Sequence, residues 1–444
     1  PEGRASLTVR GLTRAGLVLA SSPIDVGVNA VLEGGRAGVR AVAVSNGRTI
    51  GRAQARFAPI GSGAFVQALR EAPMLAQVRY AGPADSLWRL SGVEVLDLSG
   101  PVSLGADIGG RLAAPVIRGS LRTAGARLES AVTGMVVTDL AASGSFSGSR
   151  LVLTSLQGRT PGGGGLSGSG FVDFTGGGTP SVDMRLQAEG ARLLARDDIA
   201  ADVSGPLAIR STGRGGTLSG DLRLVRGRFT LGQASAAAAV PALRVRHVNV
   251  DADDVITAED LVPWRLDFRV RGSTLQVRGL GIDSSWSTSL DVGGTADAPR
   301  LTGTADLVRG QYEFAGRNFR LARGAIRFRG ESPPNPLLDI VAEAEVQGLD
   351  ASVLVRGTGL KPDISFASVP SLPQEELLSR LLFGTSLANL SAPEAIQLAS
   401  AVAGLQGGSG LDPINQIRRA AGLDRLRILP ADITTGQGTS ISAG

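Results

Sequence analysis

The chain has no cysteine, one histidine and one lysine, and aromatic residues make up only 4% of its 444 positions. Each shortage removes a class of function. Without cysteine there is no disulfide scaffold, no thiolate metal site and no cysteine nucleophile. A Ser-His-Asp triad would have to use His247, and no G-x-S-x-G elbow accompanies it. His247 therefore reads as an imidazole at a strand edge. Three Trp and two Tyr cannot supply the two aromatic girdles of a membrane barrel. No apolar run approaches the roughly 18 residues of a membrane-crossing helix, and no signal-peptide pattern opens the chain.

Glycine is abundant instead. Its 62 residues are about twice the usual share, and without a three-residue period they indicate turns and bulges rather than collagen. The net charge is +5, carried almost wholly by arginine, with Lys361 the single lysine. A nucleic-acid binder is disfavoured, because the arginines are strewn along strand patterns with few aromatics among them for stacking. The acidic cluster Asp251, Asp253 and Asp254 lacks the glycine and distal glutamate of a calcium loop, so it reads as a solvated turn. The run Pro161 to Gly165 lacks the Gly-Lys-Ser/Thr of a phosphate loop. It and Gly176 to Gly178 read as loop tips.

The dominant signal is alternation. Trp264, Leu266, Phe268 and Val270 point one way, while Arg265, Asp267, Arg269 and Arg271 point the other. That is the period of two expected of a strand with one dry and one wet face. After an expected turn at Gly272-Ser273 the pattern continues through Leu275 and Val277. It returns at Leu301 and Leu307, near Phe314, and at Phe319 and Leu321. Ile326 and Phe328, Val353 and Val355, and Ile364 and Phe366 repeat it. These seventeen residues are the candidate lining of an apolar groove. Short strands with glycine-containing turns predict antiparallel hairpins.

Internal echoes support a stack of related hairpins. Ser219 to Gly227 resembles Thr302 to Gly310, and Ile108 to Pro115 resembles Val292 to Pro299. The intervals are irregular, which excludes a fixed-period solenoid. Two stretches break the pattern, at 64–75 and 86–96, and are expected as short helices. The β region thus runs over 1–370.

After Phe366 the period becomes helical. Leu377, Leu378, Leu381 and Leu382 share a face, closed by Phe383-Gly384. Ser391 and Glu394 have capping-box spacing before Ala395 to Leu405. Asp412-Pro413 opens a third expected helix over Ile414 to Ala421, ended by Gly422. The helical segment spans 371–428 and ends in a returning strand at Leu426 to Ile428; 429–444 reads as the start of a further β segment that is cut short. The opening residue, Pro1, likewise suggests that a membrane anchor lies outside this stretch.

A sheet with so long a dry face must hide it, and only short helices are available before residue 373. It can close into a barrel, pack as a sandwich, or curl into an open trough. The unbroken array favours the trough. An acyl chain crossing water exposed would cost roughly 10 kcal/mol or more, and a continuous apolar lining removes that barrier. About 25 strands at about 4.8 Å each would give a trough of about 120 Å.

The helical tail carries a resemblance. Ser371-Leu372-Pro373-Gln374-Glu375-Glu376-Leu377-Leu378-Ser379-Arg380-Leu381-Leu382-Phe383-Gly384 closely resembles the signature of the TamB C-terminal domain. Leu390-Ser391-Ala392 and Gly422-Leu423-Asp424-Arg425-Leu426 keep that family's order. The resemblance implies an all-β fold: an elongated, U-shaped, mostly antiparallel "β-taco" sheet with an apolar interior and a small C-terminal helical segment. It implies a periplasmic protein anchored in the inner membrane, with an outer-membrane barrel partner of the TamA/BamA type. It further implies a part in outer-membrane protein assembly or secretion and in phospholipid movement between membranes. The lining residues would then face phospholipid acyl chains. No catalytic residue, metal or cofactor is implied. The alternative is a folding scaffold that offers strand edges to barrel proteins without moving lipid.

Overall fold

The computed structural model describes residues 2–12, 23–62, 64–88, 96–174, 180–213, 215–231, 264–314, 317–406, 426–429 and 440–443. His247, the aspartates at 251, 253 and 254, the 176–178 loop tip and the expected third helix lie outside them.

The fold is all-β, and its strands follow one another in hairpins. The first group comprises β1 (Gly3–Leu12), β2 (Ile24–Glu33), β3 (Arg36–Ser45), β4 (Arg48–Phe57) and β5 (Met74–Pro83). Helix α1 (Phe65–Glu71) precedes β5 and α2 (Ala84–Trp88) follows it. Next come β6 (Asp97–Ser99), β7 (Pro101–Arg111), β8 (Ala114–Glu129), β9 (Val136–Gly148) and β10 (Arg150–Thr160). Then follow β11 (Gly164–Asp173), β12 (Ser181–Ala195), β13 (Ile199–Ser211), β14 (Gly216–Thr230) and β15 (Trp264–Gly279). The last long strands are β16 (Ile282–Gly294), β17 (Pro299–Phe314), β18 (Arg317–Arg329), β19 (Leu337–Val346), β20 (Leu349–Thr358) and β21 (Pro362–Val369). These 21 strands belong to one sheet. Helices α3 (Gln374–Phe383) and α4 (Ala392–Gln406) follow, and β22 (Leu426–Leu429) and β23 (Ser440–Ala443) form a separate antiparallel pair.

The chain divides into two compact units. The first comprises Pro1–Val225, Arg244–Phe268 and Thr295–Asp297; the second comprises Arg226–Leu243, Arg269–Gly294 and Ala298–Gly444. In the first unit, antiparallel registers join β1 to β5 in sequence, then β5 to β7, and β7 onward through β13. In the second unit, β16 through β21 pair in order, each antiparallel to the last.

The strands are longer than the sequence pattern suggests. The expected turn at Gly272-Ser273 does not form, and β15 runs through it unbroken. Ser273 and Thr274 are instead two consecutive exposed residues. They move the buried set from even positions (Trp264 to Val270) to odd ones (Leu275, Val277). On β17, Val308 and Arg309 are both exposed, and on β18 Ala322 and Arg323 are. A local change of phase within one strand thus reads, in sequence, as a break between two.

Two of these phase changes belong to a row of register shifts. One lies at Ser285/Trp286 between β16 and β17, and another at Leu321/Arg323 between β18 and β19. Between them, the β17–β18 ladder passes from Asp306–Ala325 directly to Gln311–Arg320, without regular pairs in between. A bulge bends its strand and tightens the local twist. Irregularities on neighbouring strands therefore crease the sheet along one line. Trp286 is buried on this crease. Its indole N–H donates to Ser284 Oγ at 2.9 Å, and that hydroxyl donates to the Val277 carbonyl at 3.3 Å. Its ring fits because position 324 is glycine: a Cβ there would lie 2.7 Å from Trp286 Cη2.

The helices are shorter than or offset from their expected spans. α1 covers Phe65–Glu71 within the expected 64–75, because Met74 is already recruited into pairing with Phe57 of β4. α2 starts at Ala84, whose N–H donates to the Gly100 carbonyl, and its described residues end at Trp88.

Candidate functional site

Directly opposed residues in an antiparallel ladder lie on the same face, so the registers assemble the dry face row by row. In the second unit, Leu321, Ala342, Val353 and Phe366 form one row across β18 to β21. Ile340, Val355 and Ile364 form the next. Ala305, Ile326 and Leu338 continue the face across β17, β18 and β19. The opposite face is wet. It carries the exposed pairs Arg320–Glu343 at 3.1 Å and Arg323–Asp339 at 3.6 Å, each contributing about 0–1 kcal/mol.

The seventeen candidate residues fall into three environments. Trp264, Leu266, Phe268, Val270, Leu301 and Phe328 are half-buried. Within the first unit, the Trp264 ring lies against Gly216 and the Phe268 ring near Gly220, where absent side chains give the rings room. Leu275, Val277, Leu307 and Ile326 pack with Trp286 and Ala305 at the crease. Phe314, Phe319, Leu321, Val353, Val355, Ile364 and Phe366 join a third cluster, which is closed by α3.

This cover was legible in sequence only as an amphipathic helix without a seat. Pro373 precedes α3, Glu375 and Glu376 occupy its first turn, and Gly384 ends it in the left-handed conformation at φ 72°. Leu377, Leu378 and Leu381 are buried against the strands, and Phe319 beneath them is 0% exposed. Two hydrogen bonds fasten the far end of the helix. Arg317 Nε donates to the Leu381 carbonyl at 3.2 Å, and Gln347 Nε2 donates to the Gly384 carbonyl at 2.6 Å. Nothing in the helix's own periodicity announces Arg317 at the start of β18 or Gln347 in the β19–β20 turn, both far upstream. α4 starts three residues before the expected Ala395, directly after the capping residue, with the Ser391 N–H and hydroxyl both donating to Glu394.

Glu376 ties α3 to the following turn at Leu387–Asn389. Its carboxylate accepts hydrogen bonds from the Leu387 N–H, from Arg380 Nε and from the Ser386 hydroxyl. The Leu387 N–H is the main cause, and Arg380 the next, of a pKa held below the usual glutamate value. A depressed carboxylate pKa contributes stability that is present above the unfolded-state value. The contribution is lost as pH falls from the ordinary glutamate range through the lowered value. The protection factor of the Leu387 amide, its exchange measured against the intrinsic rate at each pH, is therefore expected to fall across that acid window in the native chain, and Glu376→Gln should flatten the response.

Among the described residues, no group of three His, Asp or Glu side chains could hold a metal ion. No helix among them is long and apolar enough to cross a membrane. What the second unit offers chemically is an aliphatic and aromatic surface, half-buried at Val270, Leu301 and Phe328 and covered by α3 around Phe319, Leu321 and Val353.

Comparison with known proteins agrees with the helical tail. The family model for the TamB C-terminal domain matches residues 154–444. A 129-residue stretch is 30% identical to the translocation and assembly module subunit TamB of Haemophilus influenzae, covering 28% of this chain and 10% of that protein. The matched stretch is thus a small part of that relative's length. With the family model spanning well over half of its residues, the chain belongs to the TamB family.

Proposed function

We propose that the chain serves outer-membrane biogenesis as part of a translocation and assembly module, and that its dry face accommodates phospholipid acyl chains passing between membranes. One observation carries this reading: in the second unit, half-buried Val270 and Leu301 present apolar surface with no described helix over it, whereas α3 closes the face at Phe319. In the first unit, Leu266 and Phe268 are likewise half-buried. Each methylene taken out of water is worth about 0.8 kcal/mol. A lining of leucine, valine and phenylalanine therefore gives a lipid tail a path without a high barrier. The same lining has no directional polar groups to fix one ligand pose, which suits a conduit better than a specific receptor. The role is one of surface rather than catalysis.

In this reading the protein works in the periplasm, held to the inner membrane by a segment elsewhere in the full protein, and meets a barrel partner of the TamA type. Site-specific photo-crosslinkers at Leu266 and Leu301 should capture lipid, and those at Arg265 and Arg300 should not. Equal capture on both faces would overturn the reading. A second reading has its own observation: β21 pairs with β20, and no partner strand is described on its other side. That edge could template an incoming strand, and crosslinks from β21 to unfolded barrel protein instead of lipid would favour it.

A further inference from the structure

The first unit carries a charge imbalance that the dry face does not use. From Gly34 to Arg70 there are six arginines (Arg36, Arg40, Arg48, Arg52, Arg56 and Arg70) and no acidic residue. All six are exposed. Elsewhere on the sheet, exposed arginines such as Arg320 and Arg323 sit beside carboxylates on the next strand. β3, β4 and β5 supply none, and of the six only Arg36 has a carboxylate directly opposite, Glu33 of β2.

The registers place these charges next to an apolar tip. Val31, Gly38, Arg56 and Leu75 are successive partners across β2 to β5, and beyond them Gly109 of β7 faces Val116 of β8. Leu75 is 74% exposed, and Val31 and Val116 are exposed on the same wet face. One row further in run Arg40, Gln54, Gln77, Asp107 and Arg118. Asp107 is already engaged by Arg79 at 2.8 Å, so that row remains net basic.

α1 completes the tip. It sits at the same end of the strands but against the dry face, where its Leu69 packs into the cluster of Phe57 and Met74, while Phe65 and Val66 are 50% and 70% exposed. The Ala113 N–H donates to the Arg70 carbonyl, which sets exposed Leu112 beside the helix. The carboxylates at this end are Glu2, Glu33, Glu71 and the already engaged Asp107, outnumbered by Arg4, Arg36, Arg40, Arg56, Arg70, Arg111 and Arg118.

We propose that this end of the first unit is a docking surface for a bilayer that contains anionic phospholipid. Exposed Phe65, Val66, Leu75 and Leu112 would enter the headgroup–acyl boundary, and the arginine collar would meet the phosphates. The combination discriminates among anionic partners. Nucleic acid would require stacking aromatics among the arginines, and of the tip's two described aromatics, Phe57 is buried and only Phe65 is exposed. An acidic protein surface would satisfy the arginines but leave the four apolar side chains without a purpose.

The test is co-sedimentation of the 444-residue chain with vesicles of phosphatidylcholine alone or of phosphatidylcholine mixed with phosphatidylglycerol. Binding is expected only to the mixed vesicles and should weaken as salt rises. Replacing Arg36, Arg40 and Arg56 together by Gln should lower affinity roughly 100-fold, at about fivefold per arginine. Replacing Phe65, Val66 and Leu75 together by Ser should lower it at least about tenfold. Replacing Arg265 and Arg269 by Gln should change nothing. Circular dichroism confirms that the variants remain folded, since every substituted side chain is exposed. Equal binding to both vesicle types, or full binding by the arginine variant, would overturn the proposal. An arginine effect without an effect of the apolar substitutions would also overturn it and point to an acidic protein instead.

Discussion

Leu378→Asp is expected to unseat α3 while leaving the strands beneath it paired. Leu378 is fully buried in the cluster of Phe314, Phe319, Leu321, Val346 and Val353. Removing a buried leucine alone costs about 2–5 kcal/mol. A carboxylate at the same point adds an unpaired charge or forces its protonation, so the total is about 5 kcal/mol. The hydrogen bond from charged Arg317 contributes about 1.5–3 kcal/mol and that from neutral Gln347 about 0.5–1.5 kcal/mol, together less than that loss. The ladders of β18 to β21 do not pass through α3 and should persist. Hydrogen exchange would then show lost protection over 374–383 and retained protection over 317–369. Leu360→Asp, at a 73% exposed position, should cost about 0.5 kcal/mol or less. Unchanged exchange in α3 would mean that the helix is held by something other than its leucine face.

The second large effect lies at the crease. Trp286→Ala should cost about 3–5 kcal/mol, because the indole is buried with Val277 and Ala305 and its N–H is satisfied by Ser284. Gly324→Ala should cost about 1–3 kcal/mol by overpacking, since the new methyl would meet the ring at 2.7 Å. The two changes should not add. With the ring gone, the methyl at 324 occupies vacated space, and the double variant should be more stable than the sum of the singles implies. Urea unfolding of the four proteins measures the coupling. Strict additivity would show that Gly324 is not there to seat Trp286.

Trp286 and Gly324 also show where sequence reading stops. Alternation identified the two faces of β15, β17 and β18, because period two is local and survives in any antiparallel sheet. It did not show that 272–273 and 308–309 lie inside continuous strands. A bulge and a turn leave the same mark in a hydrophobic pattern, a lost phase with a glycine nearby. Gly324 reads as one more turn residue in sequence, yet it makes room for a side chain two strands away. The α3 motif was legible to the residue, from Pro373 to Gly384, but its seat depends on Arg317 and Gln347. Contacts across that separation have no signature in a single sequence. Seven of the seventeen groove candidates lie beneath α3 for that reason.

The central claim is that uncovered dry surface accommodates acyl chains and that α3 keeps them from Phe319. Photo-crosslinking in the intact protein tests it most directly, with probes at Leu266 and Leu301 on the dry face, Arg265 and Arg300 on the wet face, and Phe319 beneath α3. Lipid should be captured at Leu266 and Leu301 alone, and at Phe319 only once Leu378→Asp has unseated the helix. Capture at Arg265 and Arg300 equal to that at Leu266 and Leu301, or at Phe319 with α3 intact, would contradict the account.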